Sequence, residues 1–211
     1  IMTPAPGARL LSTPQCPHCP GVITALVALL KRGKIGRLEI INIVEHPQVA
    51  QQAGVRSVPW TRIGSYELSG ALSSKELEEW AAQAAGEQHS GYLAHLLETN
   101  RLADAVKQVT DDPRHLAGLL LQLGEADTPM AVKIGIGALL EELGKTPLIE
   151  AATAPLLTLL ASENPQVRAD AAHYLSLTGD PATIAALERL LDDADAEVRE
   201  IAAESLAEFK K

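Results

Sequence analysis

Aromatic side chains are scarce in this chain of 211 residues: two Trp, three Tyr and one Phe, or 3% of the total. Any core must therefore be built mainly from Leu, Ile, Val and Ala, a set that leans towards helix. Cysteine is as rare, with two residues, both within Cys16-Pro17-His18-Cys19. That excludes a disulfide-stapled scaffold, and a chain this long needs no staple to bury a core. No apolar run approaches the ~18 residues of a membrane-spanning helix. The longest, Gly21 to Leu30, is followed by Lys31-Arg32-Gly33-Lys34. Charge after the apolar stretch is the wrong order for a signal peptide. The net charge is −9, which argues against nucleic acid as a partner, since phosphate binding needs clustered Lys and Arg. At 46% hydrophobic and 21% charged residues, the composition is globular and not disordered.

Aspartate is absent before Asp104, and the charge is unevenly spread. Up to Gly86 there are eight Lys/Arg and six Glu, a balance of +2; the remainder holds ten basic and 21 acidic residues, a balance of −11. Such a jump predicts two domains with different roles, in line with a length of one or two domains.

The first part alternates strand and helix signals. Ala8 to Ser12 reads as a short strand, and the run after Cys19 as a helix that Gly33 can end. Arg37 to Ile43 has the length and Ile/Leu content of a buried strand. Pro47 to Ala53 is a short helix with Pro at its first position and Gly54 just past its end. Gly64-Ser65 between Trp60–Ile63 and Tyr66–Ser69 signals a hairpin. Ser73 and Glu76 form a capping box ahead of a helix from Ser74 to Ala85. The order β-α-β-α-β-β-α predicts a minimal α/β domain over residues 1–86.

The second part repeats. Asp112-Pro113, Thr128-Pro129, Thr146-Pro147, Asn164-Pro165 and Asp180-Pro181 each place a capping side chain before a first-turn proline. They recur at intervals of 16, 18, 18 and 16 residues, with Asp195 following 15 later. A period of two helices is the mark of a solenoid. Val132-Lys133, Val167-Arg168 and Val198-Arg199 open every second helix; Ile136-Gly137, Ala171-Ala172 and Ala202-Ala203 supply small residues; Leu140, Leu175 and Leu206 complete the stripe. This pattern over residues 112–211 resembles the short bacterial form of HEAT repeats. Gly91 to Val109 reads as two short helices in a connector spanning residues 87–111.

The chemistry is expected at Cys16-Pro17-His18-Cys19. Two thiols three positions apart at a helix start can reach disulfide distance, and unpaired N–H groups there favour a thiolate on the first. A protonated His18 adds a second positive influence. A thiolate at neutral pH is what thiol–disulfide exchange requires. Half a zinc site and a plain structural staple are the alternatives; zinc wants four ligands, and no second cysteine pair exists.

Strand, C-x-x-C, helix, strand and then Val58-Pro59 before a hairpin resemble the thioredoxin/glutaredoxin superfamily over residues 8–86. The resemblance implies a cis Pro59 beside the cysteines and a Val58 backbone that pairs with a substrate peptide as an added strand. It makes Cys16 the attacking thiol and Cys19 the buried resolving one. Pro17 joins the substrate-contacting surface, and Trp60 is either a groove wall or local packing. Ala8 to Thr13 holds no acid, so the proton acceptor for Cys19 is unassigned. Thr13 and Gly70-Ala71 stand where glutathione-using members carry Lys and Gly-Gly, which counts against glutathione as main reductant.

The expected fold is thus an α/β thioredoxin-like domain followed by an all-α HEAT-like solenoid. The expected function is a thiol–disulfide oxidoreductase acting on a protein client, with the solenoid recruiting that client. Catalytic roles fall to Cys16, Cys19, His18 and Pro59, and substrate contacts to Pro17, Val58 and Trp60. No cofactor or metal beyond the cysteine pair is expected, and no nucleic-acid or membrane partner. The client can be basic, the electron donor is open, and a monomer is anticipated. Two other functions compete: an interaction scaffold with an inactive redox domain, and an iron–sulfur carrier or sensor in which two chains share a cluster through Cys16. The absence of other cysteines suggests the cytoplasm, or the periplasm if a leader has been removed.

Overall fold

The structure is a computed structural model that describes residues 5–86, 89–144 and 146–209, without the side chains of residues 89 and 90. The expected domain ends at residues 1–4 and 210–211, and Glu87 and Gln88 of the expected connector, lie outside the described residues.

Four strands form one sheet in the order β2-β1-β3-β4: β1 (Gly7–Ser12), β2 (Arg37–Asn42), β3 (Trp60–Ile63) and β4 (Tyr66–Ser69). β1 pairs parallel with β2 and antiparallel with β3. The register sets Leu10 beside Thr61 and Leu11 beside Trp60, so alternate residues face opposite sides. One side, with Leu10, Ile63, Tyr66 and Leu68, is buried and supports α1 (Cys19–Lys31) and α3 (Ser74–Gly86). Tyr66 there meets Trp80 of α3 edge to face, ring centroids 5.6 Å apart. On the other side Leu11, Trp60 and Ala50 form a second cluster with Ile41, Ile43, Val49 and Val58 under α2 (Pro47–Gln52).

Local chemistry sets the helix ends. Gly33 adopts a positive φ of 68°, and the N–H groups of Gly33 and Lys34 return to the Leu30 and Leu29 carbonyls, closing α1. The capping box forms: Ser73 N–H donates to Glu76 Oε2 at 2.8 Å, and Glu76 N–H to Ser73 Oγ at 3.3 Å.

The chain divides into units 1–88 and 89–211. The second holds α4 (His89–Glu98), α5 (Leu102–Asp111), α6 (His115–Leu121), α7 (Met130–Leu143), α8 (Thr153–Leu159), α9 (Pro165–Ser176), α10 (Ile184–Arg189) and α11 (Ala196–Glu208). α4 and α5 are the two short helices expected over Gly91 to Val109. α4 packs on α6 and α7, and α5 on α7, with Leu93, Leu96, Ala105 and Val109 fully buried. Both helices are therefore built into the helical unit, because an apolar stripe must be covered and α6 and α7 cover theirs.

α8 packs on α9 and α10 on α11, while α6 meets α8 and α7, α9 and α11 follow one another along the stack. Thr146, Asn164, Asp180 and Asp195 accept backbone N–H bonds at the starts of their segments, as their positions predict. Thr128 does not: Pro129 occupies the N-cap of α7. Asp112 accepts from the Arg114 N–H before α6 begins. Two close approaches explain the glycines of the first repeat. A Cβ on Gly135 would stand 2.6 Å from Leu97 Cβ, and one on Gly137 would stand 2.5 Å from Tyr174 Oη. Leu140 and Leu175 are fully buried, but Leu206 is only half-buried and Ala203 is exposed. No further described helix stacks beyond α11.

Candidate redox site

The site lies where β1 ends and α1 begins. Thr13 and Pro14 turn the chain, and Cys16 N–H donates to the Thr13 carbonyl at 3.2 Å. Cys16 and Cys19 are joined by a disulfide with Cα atoms 5.5 Å apart, so the structure represents the oxidised state. Cys16 is half-buried at the surface and Cys19 is buried at 1% exposure. Of the two sulfurs, that of Cys16 is therefore the one nearer the surface. It follows from Cys19 being the first residue of α1, where it faces inward with Val22 and Leu26.

The Cys19 N–H donates to Cys16 Sγ at 3.1 Å. A donor aimed at that sulfur stabilises a thiolate more than a thiol, as does the unpaired N–H end of α1. Pro17 and His18 are both exposed. His18 occupies the N-cap of α1 with no side-chain capping bond, leaving its ring to solvent.

Val58-Pro59 is a cis peptide bond. The Pro59 carbonyl accepts from the Gly70 N–H at 3.0 Å, which ties the proline to the end of β4. Pro59 is buried and Val58 half-buried. Trp60 is 4% exposed within the Leu11–Ala50 cluster. Its indole is core packing, not a groove wall: the β3 register turns it to the α2 side of the sheet.

Sequence reading missed a cleft. About 390 Å³ of open space adjoins the disulfide, lined by Ser12, Thr13, Pro14, Cys16, Cys19, Pro20, Ile23, Ile40 and Asn42. Among the described residues no charged side chain lines it. Asn42 Oδ1 is engaged by the Val44 N–H at 3.0 Å. The cleft therefore supplies no acid to accept the Cys19 proton. The one prior signal was Ile40, an apolar residue in a strand whose edge position the sequence does not disclose. Among the described residues no group of three or more His, Cys, Asp or Glu could hold a metal ion. No described helix is long and apolar enough to cross a membrane.

In the second unit, arginine repeats one set of contacts. Arg168 Nη1 donates to the carbonyls of Ser162 and Glu163, and Arg199 Nη1 to those of Asp193 and Ala194, six and five residues back in each case. The Arg168 fork also grips Asp193 of the next repeat at 2.9 and 2.8 Å. A family model of HEAT repeats matches residues 102–207, half of the chain. The chain belongs to the HEAT-repeat family. A thioredoxin-domain model matches residues 9–82 ahead of those repeats, covering the whole redox site. No curated protein matches the chain. The HEAT match begins at Leu102, so it includes α5, part of the segment expected to be a connector.

Proposed function

We propose that this HEAT-repeat protein is a thiol–disulfide oxidoreductase whose thioredoxin domain exchanges disulfides with a protein client held by the repeats. The observation that carries the reading is the pairing of a half-exposed Cys16, with a backbone N–H aimed at its sulfur, and a fully buried Cys19. In the reductive direction the Cys16 thiolate attacks one sulfur of the client disulfide. A mixed disulfide forms and one client thiolate leaves. The Cys19 sulfur, having given up its proton to solvent, then attacks Cys16, closes the intramolecular disulfide and expels the second client thiolate. Two electrons pass to the client, whose two thiolates take up protons from water. An external thiol or dithiol returns the cysteines to the reduced state. The couple is the cysteine pair itself and needs no bound cofactor.

The acidic charge of the HEAT half, −11 after Gly86, suits a basic client. Binding there raises the client's effective concentration at Cys16. The test is reduction of insulin disulfides by the full chain with dithiothreitol as reductant. The wild type should accelerate precipitation of the insulin B chain, and Cys16→Ser should abolish the effect. Equal rates with and without the wild-type protein would overturn the reading.

A further inference from the structure

The disulfide has two flanks. On one side of β1 stands the cis Val58-Pro59 bond at the start of β3; on the other side the cleft opens against β2. β2 is the edge of the sheet, so its outer backbone groups pair with no described strand. Ile40 on that edge is 44% exposed, unusual for a large apolar side chain on a strand. With Ile23, Pro14 and Pro20 it gives the cleft an apolar lining that reaches the cysteines. A charged side chain entering it would lose water and find no counter-charge.

We infer that this cleft is a specificity subsite for the client: it takes a large aliphatic or aromatic side chain two residues from the client's reactive cysteine. The inference rests on the oxidoreductase reading and adds a sequence preference to it. The spacing follows from sheet geometry. Cys16 and Cys19 line the cleft where β1 ends, and Ile40 lines it from β2, the neighbouring strand, about 4.8 Å away. An extended peptide advances about 3.3 Å per residue. A client whose sulfur sits over Cys16 therefore places the residue two along, roughly 6.6 Å away and on the same face of the extended chain, over the cleft. The occupant is apolar because the lining is apolar and uncharged, and because the site is continuous with the disulfide that the client must reach. Ile23 and Ile40 are then specificity residues that contact the client without taking part in bond exchange.

The probe is a set of peptides whose single cysteine is capped as a mixed disulfide with thionitrobenzoate. They differ only in carrying Leu, Ala or Asp two residues from cysteine, on either side. The full-length protein is reduced beforehand, freed of reductant and mixed with limiting peptide. Attack of Cys16 on the peptide sulfur releases the coloured thiolate, and its rate is followed by absorbance. For one of the two sides, Leu should react about tenfold faster than Ala, and Asp slower than Ala, since roughly half of a Leu side chain is buried. In Ile40→Glu the Leu-over-Ala ratio should fall to about one; Ile40→Ala, which carries little folding risk, should lower it severalfold. Equal rates for Leu and Ala on both sides in the wild type would overturn the subsite. So would a ratio that survives both substitutions. Failure of the wild type to react with any peptide would overturn the oxidoreductase reading instead, and the subsite with it.

Discussion

Arg168→Ala should destabilise the HEAT unit by about 3 kcal/mol, and the contacts of the guanidinium show why. Nε and Nη2 bind both carboxylate oxygens of Asp193 at 2.9 and 2.8 Å; Nη1 binds the Ser162 and Glu163 carbonyls at 2.8 and 3.2 Å. The two side chains are 15% and 10% exposed, so water screens them weakly. A hydrogen bond to a charged group contributes about 1.5–3 kcal/mol net, and four sharing one guanidinium do not add fully. The truncation also leaves Asp193 without its guanidinium, with the Asp195 N–H at 2.9 Å and the nearby Arg199 charge as remaining support among the described residues. About 3 kcal/mol is a large share of a typical domain stability of about 5–15 kcal/mol. Urea unfolding followed by far-ultraviolet circular dichroism reads the helices, while Trp60 and Trp80 report only on the first unit. With a slope of about 2 kcal/mol per molar urea, the helical midpoint should drop by about 1.5 M. Arg168→Lys should recover little of it, because an ammonium cannot reproduce the fork. The pH dependence has a definite sign. Arg168, chiefly through its hydrogen bonds, holds the Asp193 carboxyl below the usual carboxylate range in the folded state. The pair's contribution is therefore complete above an unfolded pKa of about 3.9 and fades as pH falls through the lower folded value. Wild type and Arg168→Ala should differ fully at neutral pH and less in strong acid, where only the Nη1 bonds to the Ser162 and Glu163 carbonyls still separate them. A midpoint drop under about 0.5 M at pH 7 would refute the reasoning.

Two further predictions concern the thiols and the glycines. In the reduced protein, alkylation followed against pH should show Cys16 reacting with a midpoint below the unperturbed ~8.5, while buried Cys19 reacts slowly. Equal and unshifted reactivity of the two would reverse the assignment of roles. Gly137→Ala gains about 1 kcal/mol of helix propensity but drives a methyl to 2.5 Å from Tyr174 Oη, so it should lower stability by about 1 kcal/mol net. In a Tyr174→Phe background the same change should cost clearly less. An equal cost in both backgrounds would show that the hydroxyl is not the obstacle.

Most of the short-range structure was legible along the chain. The four strands, the capping box at Ser73 and Glu76, the αL glycine at Gly33 and the caps at Thr146, Asn164, Asp180 and Asp195 are decided by residues within one or two turns of each other. The two cysteines, three apart at a helix start, belong to the same class, and so does the solenoid period. What the tertiary structure decided depends on partners far along the chain. Sheet order made β2 an edge and exposed Ile40, which a strand pattern alone cannot reveal. Register turned Trp60 into the α2 cluster and away from the site. The packing of α4 on α6 and α7, and of α5 on α7, is likewise a matter of surfaces that meet far along the chain. The grip of Arg168 on Asp193, 25 residues away, and the seat of Tyr174 against Gly137 exist only once the repeats stack. Caps and turns are satisfied by neighbours that the chain supplies in order. Edges, registers and close approaches depend on which surfaces meet, and that is settled by the burial of apolar area over the whole unit.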